Sequence, residues 1–294
     1  MFSLSLLGST SKSTMCETAE LFTWIAVFAV EFLVIIVGNI ITIFVFWNLR
    51  SVLKRTYYLL INLTIADVTV GLGVIKLLTS NILRLQTIEE ARGARYIALD
   101  VFSGTASITS LLLIAVERFF AIVFPFRHRV WTQRMYAYCI AGVWITSVLI
   151  TMITMIPEVF RDLILVRIPR LILASFTVIC LIGICFSYTV IYVFSRKRIP
   201  PIGRDKREQN KRLAKTLFIV TMLSLIAWIP LAVATVSPQR YDHCVIPNSL
   251  FVGIFLQLAN SALNPAVYCY RMPEFRAVLK RIFFRCRNTT VNFP

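Results

Sequence analysis

Long apolar runs separated by short polar breaks set the pattern of this chain. The runs fall at roughly 22–47, 57–80, 97–122, 136–157, 169–195, 214–237 and 247–270. Each is near or above the ~20 residues with which a helix crosses a bilayer. Apolar residues occupy every face of these runs instead of one stripe, so lipid is the expected solvent. Pro157 marks the end of the fourth run and Pro169 the start of the fifth. A last segment, 273–286, has a different texture. It alternates Phe275, Arg276, Leu279, Lys280, Ile282 and Phe283, as expected of a short amphipathic helix lying on a membrane surface. The pattern predicts an all-α membrane protein: a seven-transmembrane helix bundle over 22–270 with a short amphipathic eighth helix. Residues 1–21 are expected as an extracellular N-terminus, and 271–294 as a cytosolic amphipathic helix and tail.

Composition agrees with a lipid solvent. The chain has 294 residues, of which 58% are hydrophobic and only 15% charged, too few to solvate a soluble surface of that size. A net charge of +17 can point to nucleic acid. Here the basic residues sit in the breaks between apolar runs, so no nucleic-acid partner is expected. Their asymmetry sets orientation. Alternate breaks hold Arg50, Lys54 and Arg55, then Arg127, Arg129 and Arg134, then the dense run from Arg196 to Lys215, then the tail from Arg271 to Arg287. The opposite breaks hold scattered cations such as Lys12, Arg84, Arg92 and Arg95. The rich side belongs in the cytosol, which places the N-terminus outside a multi-pass protein. Met1 to Cys16 lacks the basic start and short apolar core of a cleavable signal, so the first run is expected to act as the insertion signal.

Ionisable groups inside lipid are costly and therefore candidates for function. Four stand out: Glu31, Asp67, Lys76 and Asp100. Near Asp67 the runs also carry Asn39, Ser103, Ser107, Asn260, Ser261 and Asn264. A carboxylate among hydroxyl and amide oxygens suits a hard monovalent cation such as sodium, or an ordered water cluster. Equally, such a set can be a network that only joins helices. Proline interrupts two neighbouring runs, at Trp228-Ile229-Pro230 and at Asn264-Pro265-Ala266-Val267-Tyr268. Each removes a backbone bond and kinks its helix, although proline is also ordinary in membrane helices. The two histidines, His128 and His243, have no metal-ligand neighbours in sequence. Four cysteines, Cys139, Cys180, Cys185 and Cys269, lie within apolar runs, where they act as small hydrophobes.

Together these residues resemble the rhodopsin-like (class A) family of G-protein-coupled receptors over about residues 20–286. The resemblance rests on Gly38-Asn39 in span 1 and Asn62-Leu63-Thr64-Ile65-Ala66-Asp67 in span 2. It rests also on Glu117-Arg118-Phe119 closing span 3, Trp144 in span 4, Trp228-Ile229-Pro230 in span 6 and Asn264-Pro265-x-x-Tyr268 in span 7. Each motif is weak alone; six in the right order on the right spans are specific. The resemblance implies that an extracellular ligand, a small molecule, lipid or peptide, drives span 6 outward and activates a heterotrimeric G protein. Arg118 would hold the inactive state with Glu117 as its ion-pair partner. Trp228 would couple the ligand pocket to span 6, and Tyr188 and Tyr268 would swing inward. Asp67, Ser107, Asn260, Ser261 and Asn264, with Asn39 nearby, match the family's sodium site. Beyond that structural ion no cofactor is implied, and no enzymatic activity. Arrestin, kinases and membrane lipids are implied partners, and the plasma membrane the location. Cys286, after the amphipathic segment, would be lipidated.

The chain departs from the family at several positions. The usual span 3 cysteine is Gly93, and no cysteine lies between Pro157 and Pro169, so the usual disulfide is missing. Cys16 and Cys244 remain on the outer side as a candidate pair. Cys180 replaces the usual span 5 proline, Ser224 a span 6 phenylalanine, and Asn210 an acidic residue at the foot of span 6. The last loss removes a restraint on Arg118, so raised basal activity is expected. Missing disulfide, missing span 5 proline and a short second outer loop are similar to the melanocortin, lysophospholipid, cannabinoid and adenosine group.

Span 3, with Asp100-Val101 and Thr105-Ala106-Ser107-Ile108, is similar to that of the biogenic amine receptors, in which the aspartate pairs with a ligand ammonium. The aromatic cage of an amine pocket is lacking: Leu231 and Ala232 follow Pro230, and Leu258 stands for the span 7 tyrosine. Asp100 paired with Lys76 inside the bundle is the structural alternative, with a lipid or peptide as ligand. From another class, seven helices with internal charge suit an ion pump or channel. Span 7 has no lysine to hold retinal, and no internal repeat suggests a transporter.

Overall fold

A computed structural model describes residues 4–53, 56–85, 94–160, 167–196, 215, 218–219, 222, 226–229 and 248–289. Among these residues the helices are α1 (Leu4–Leu53), α2 (Thr56–Leu85), α3 (Ala94–Val123), the short α4 (Pro125–Arg129), α5 (Gln133–Phe160), α6 (Arg167–Arg196), α7 (Asn248–Arg271) and α8 (Pro273–Thr289). Spans 1, 2, 3, 4, 5 and 7 therefore correspond to α1, α2, α3, α5, α6 and α7. Most of the sixth run lies outside the described residues.

Five of these helices carry apolar stretches long enough to cross a bilayer: Phe22–Leu49, Tyr57–Ile75, Ala98–Val123, Gln133–Met155 and Leu171–Phe194. The first, 28 residues long, reaches about 42 Å at 1.5 Å per residue, enough to span with tilt. Helices and apolar runs do not share their ends. α1 reaches back to Leu4, through a Ser- and Thr-rich segment in which no proline stops it. α5 continues past Pro157 to Phe160, because a proline forfeits one N–H and strains only the turn before it. The apolar run marks the part facing lipid; the helix ends where its backbone bonds end.

The bundle is inverted relative to a soluble protein. Val30, Leu33, Val37, Ile40, Phe44 and Trp47 point outward from α1, while Asn39, Thr42, Asp67, Ser107, Glu117 and Asn264 are buried. α3 is central, packed against α2, α5 and α6, and α1 packs against α2 and α7. Small residues allow the close crossings: a Cβ on Gly71 of α2 would lie 2.8 Å from Ile36 Cδ1 of α1. Buried hydroxyls without a distant partner return to their own helix, as Thr42 does to the Gly38 carbonyl at 2.8 Å and Thr64 to Leu60 at 2.7 Å.

α8 docks through its apolar face. Phe275 is buried and meets Phe46 edge-on at 5.5 Å, and Phe46 meets Tyr268 at 5.2 Å. Arg276, Lys280 and Arg281 face outward. Pro273 sits at the first helical position, where its missing N–H costs nothing.

Candidate functional site

The centre of the bundle is built on Asp67, which is fully buried. Its Oδ1 accepts from Ser261 Oγ at 2.8 Å and from Ser107 Oγ at 3.2 Å, and its Oδ2 accepts from Asn264 Nδ2 at 2.7 Å. One carboxylate thus joins α2, α3 and α7. α7 supplies its share because Gln257, Ser261, Asn264 and Tyr268 recur at helical spacing on one face. Asn39 of α1 completes the arrangement, donating from Nδ2 to the Ser261 carbonyl at 3.1 Å and to the Ile35 carbonyl at 2.9 Å. Asn260 is buried on the same turn of α7.

The described ion pairs do not include Asp67, so among the described residues its charge is met by neutral donors. Asn39 Oδ1 is buried without a hydrogen-bond partner among the described residues. A single carboxylate, two hydroxyl oxygens that can turn, and an amide oxygen left over fit a hard monovalent cation. No cluster of three or more His, Cys, Asp or Glu exists among the described residues.

A second polar tie lies beside the first. Asn62 Nδ2 donates to Ser110 Oγ at 2.8 Å, and Trp144 Nε1 donates to Asn62 Oδ1 at 3.0 Å. This binds α2, α3 and α5, which gives Asn62 and Trp144 a structural role.

At the basic end Arg118 and Glu117 are both buried and form a close ion pair between Arg118 Nη2 and Glu117 Oε2. Glu117 Oε1 also accepts from the Tyr136 hydroxyl at 3.1 Å and meets His128 Nε2 at 2.9 Å. Phe119 lies among rings, 5.8 Å from Phe124 and 6.5 Å from Phe186. Tyr188 is buried and packs edge-on against Phe218 at 5.4 Å. Tyr268 is buried with no hydrogen bond to its hydroxyl among the described residues.

At the opposite end of α3 Asp100 is exposed. Its Oδ1 accepts from Gln257 Nε2 of α7 at 3.3 Å. A Cβ on Gly104 would lie 2.8 Å from Trp228 Cη2 and 3.4 Å from Gln257 Nε2. The bare backbone at Gly104 therefore lets α3, Trp228 and α7 meet. Trp228 Nε1 and Gln257 Oε1 are both buried without hydrogen-bond partners among the described residues.

Several expected residues are not brought together. Glu31 is buried on α1, on the face of Phe28 and Ile35, and neither of its oxygens has a hydrogen-bond partner among the described residues. The side chains of Cys16, Lys76 and Cys286, and Asn210, Pro230 and Cys244, lie outside the described residues, and with them the candidate pair Cys16 and Cys244. Cys139, Cys180, Cys185 and Cys269 are free thiols. Conversely, Gln257, Gly104, His128 and Tyr136 take part although no family motif marks them. Gln257 was legible as the outermost member of the polar stripe on α7; the other three had no comparable signal.

Apolar helices around a buried carboxylate network, with an ion pair at one end and an open carboxylate at the other, define a polytopic helical membrane protein that keeps charge inside the bilayer. The family model for 7 transmembrane receptors (rhodopsin family) matches residues 38–268. The chain belongs to that family: it is a seven-transmembrane, ligand-binding G-protein-coupled receptor and not an enzyme. It is similar to adenosine receptor A3 of sheep (Ovis aries), with 28% identity over 92% of this chain and 93% of the relative. It is similar also to adenosine receptor A3 of dog (Canis lupus familiaris), 29% identical over 90% of this chain and 93% of the relative. The same receptor of cattle (Bos taurus) is 28% identical over 94% of this chain and 93% of the relative.

Proposed function

We propose that this receptor binds a cationic ligand, an amine or a basic peptide, at the Asp100 end and activates a heterotrimeric G protein at the Glu117–Arg118 end. The carrying observation is the exposed Asp100 carboxylate, whose described partner is one neutral amide 3.3 Å away. A carboxylate so weakly satisfied gains most from a charge-assisted bond to a cation. Beside it, the unpartnered Gln257 Oε1 is a second acceptor for an N–H group. The basic end faces the cytosol of the plasma membrane and the N-terminus faces outward, by the asymmetry of Lys and Arg. Trp228, seated on Gly104, couples ligand to an outward movement of span 6, and the signal reaches Arg118 through a two-state bundle. A sodium ion would be held by Asp67 with Ser107 and Ser261. Arrestin and kinases act on the same cytosolic face.

A neutral nucleoside is the second reading, favoured by the three relatives named adenosine receptor A3. A lipid or peptide ligand with Asp100 turned to Lys76 is the third. One panel separates them. The full-length receptor is expressed in cells beside Asp100→Asn and Arg118→Ala, and G-protein activation is measured for biogenic amines, basic peptides, lysophospholipids and adenosine. The expected result is activation by a cationic compound with potency reduced roughly tenfold or more in Asp100→Asn, in line with loss of a charged hydrogen bond. Undiminished potency of every cationic agonist on Asp100→Asn overturns the pairing. Full signalling by Arg118→Ala overturns the coupling role.

A further inference from the structure

We infer that Gln257 decides which cations the Asp100 site accepts: it selects a head group with at least two N–H donors, a primary ammonium or a guanidinium, over a fully methylated one. Resting on the cation reading proposed above, this names the chemical class of the ligand and makes Gln257 a specificity-determining residue.

Gln257 is buried on α7, while Asp100 on α3 is exposed. Two features place the amide between the helices. Ser261, one turn further along α7, is held by Asp67 at 2.8 Å, which sets the face on which Gln257 stands. Gly104, one turn along α3 from Asp100, has no side chain to block the crossing: a Cβ there would lie 3.4 Å from Gln257 Nε2. The amide lies across this bare backbone and donates from Nε2 to Asp100 Oδ1 at 3.3 Å. Charge dictates its orientation. A carboxylate only accepts, so the amide must turn its nitrogen to it; the flipped amide would set oxygen against oxygen. Oε1 is thereby left as a buried acceptor without a partner among the described residues.

Neighbouring polar groups do not compete for a cation. Ser103 Oγ donates to the Asp100 carbonyl at 3.2 Å and Thr105 Oγ1 to the Val101 carbonyl at 2.6 Å, so both hydroxyls are turned back on their own helix. Trp228 Nε1, buried without a partner among the described residues, is a donor and cannot meet a cation. Two acceptors on adjoining side chains remain, Asp100 Oδ2 and Gln257 Oε1.

A primary ammonium carries three N–H groups and a guanidinium five in one plane, so either can give one to each acceptor. A trimethylammonium has none to give and is held chiefly by aromatic faces. Leu231 and Ala232 follow Pro230 in sequence, and Leu258 is packed with Phe28, Ile35 and Phe251 between α1 and α7. These positions therefore offer a methylated cation no ring, whereas Gln257 offers an N–H group an unmet oxygen.

The test uses the full-length receptor in lipid nanodiscs and reads affinity from the stabilisation each probe gives on heating. The probes are phenethylamine, its monomethyl, dimethyl and trimethyl derivatives, and phenethylguanidine. The native receptor is expected to bind phenethylamine and the guanidine about tenfold or more tighter than the trimethyl form, in line with loss of a hydrogen bond to a charged group. Gln257→Met, of similar length without polar atoms, brings the whole series to within about threefold. Gln257→Asn, whose amide is one methylene short, narrows it likewise and serves where the methionine variant does not fold. The ratio is what decides. If Gln257 only supports the helix packing, its variants weaken every probe alike and keep the native ratio, which overturns the inference. Equal affinity of the native receptor for phenethylamine and its trimethyl form overturns it too, as does binding of none of the probes. Failure of the cation reading itself differs: every probe then binds Asp100→Asn as tightly as the native receptor, whereas failure of the Gln257 role alone leaves binding dependent on Asp100.

Discussion

Asn39 of α1 donates its side-chain amide to the Ser261 carbonyl of α7 at 3.1 Å. That carbonyl is the one that Pro265, four residues on, leaves without its helical N–H. In lipid such an orphaned carbonyl must find a partner inside the protein. The pairing therefore repairs the kink and anchors α1 to it. Asn39→Ala should lower stability by about 1–3 kcal/mol, the cost of a buried acceptor left unpaired. In a Pro265→Ala background the restored N–H serves the carbonyl, so the same substitution should cost much less. Thermal unfolding of the four detergent-solubilised proteins measures the difference. Equal losses in both backgrounds would show that the two residues do not act on one carbonyl.

Asp67 gathers three donors and no counter-charge among the described residues, the arrangement from which sodium binding is proposed. The native receptor should melt at a higher temperature in sodium chloride than in potassium chloride of equal strength. A ligand at about 100 times its Kd stabilises by about 2.7 kcal/mol, a readily measured rise. Asp67→Asn should abolish the difference between the two salts. A sodium shift that persists in that variant places the ion elsewhere.

Asn210 stands where the resemblance to the family leads to the expectation of an acidic residue at the foot of span 6. Restoring it with Asn210→Glu should lower basal signalling, because a second carboxylate would compete for Arg118 in the resting arrangement. Cellular G-protein activation without ligand, at matched expression, checks this. Equal activity of the two proteins sinks the idea.

The boundaries between apolar runs and the amphipathic texture of 273–286 were legible because bilayer thickness imposes a length and lipid imposes a composition. Asp67 and its partners were legible because polar residues in such runs are conspicuous, and three of them proved to bond it directly. Three kinds of feature were not legible. α1 and α5 outrun their apolar stretches, since helix ends are set by backbone bonding and not by hydropathy. The contact of His128 with Glu117 spans eleven residues and a turn, and nothing in the local pattern encodes a loop folding back. Gly104 is one glycine in a run rich in small residues, and only the approach of Trp228 distinguishes it.

That approach carries the last prediction. A Cβ at position 104 would stand 2.8 Å from Trp228 Cη2, closer than carbon atoms in contact can lie. The indole is a rigid ring, and the Gln257 amide of α7 already stands 3.4 Å from the same point. Gly104→Ala should therefore overpack the junction of α3, span 6 and α7 and lower stability by about 1–3 kcal/mol. Trimming the indole should relieve it: Trp228→Phe combined with Gly104→Ala should be more stable than the sum of the two single losses predicts, a coupling visible in a double-mutant cycle of melting temperatures. If the losses simply add, Trp228 does not rest on Gly104.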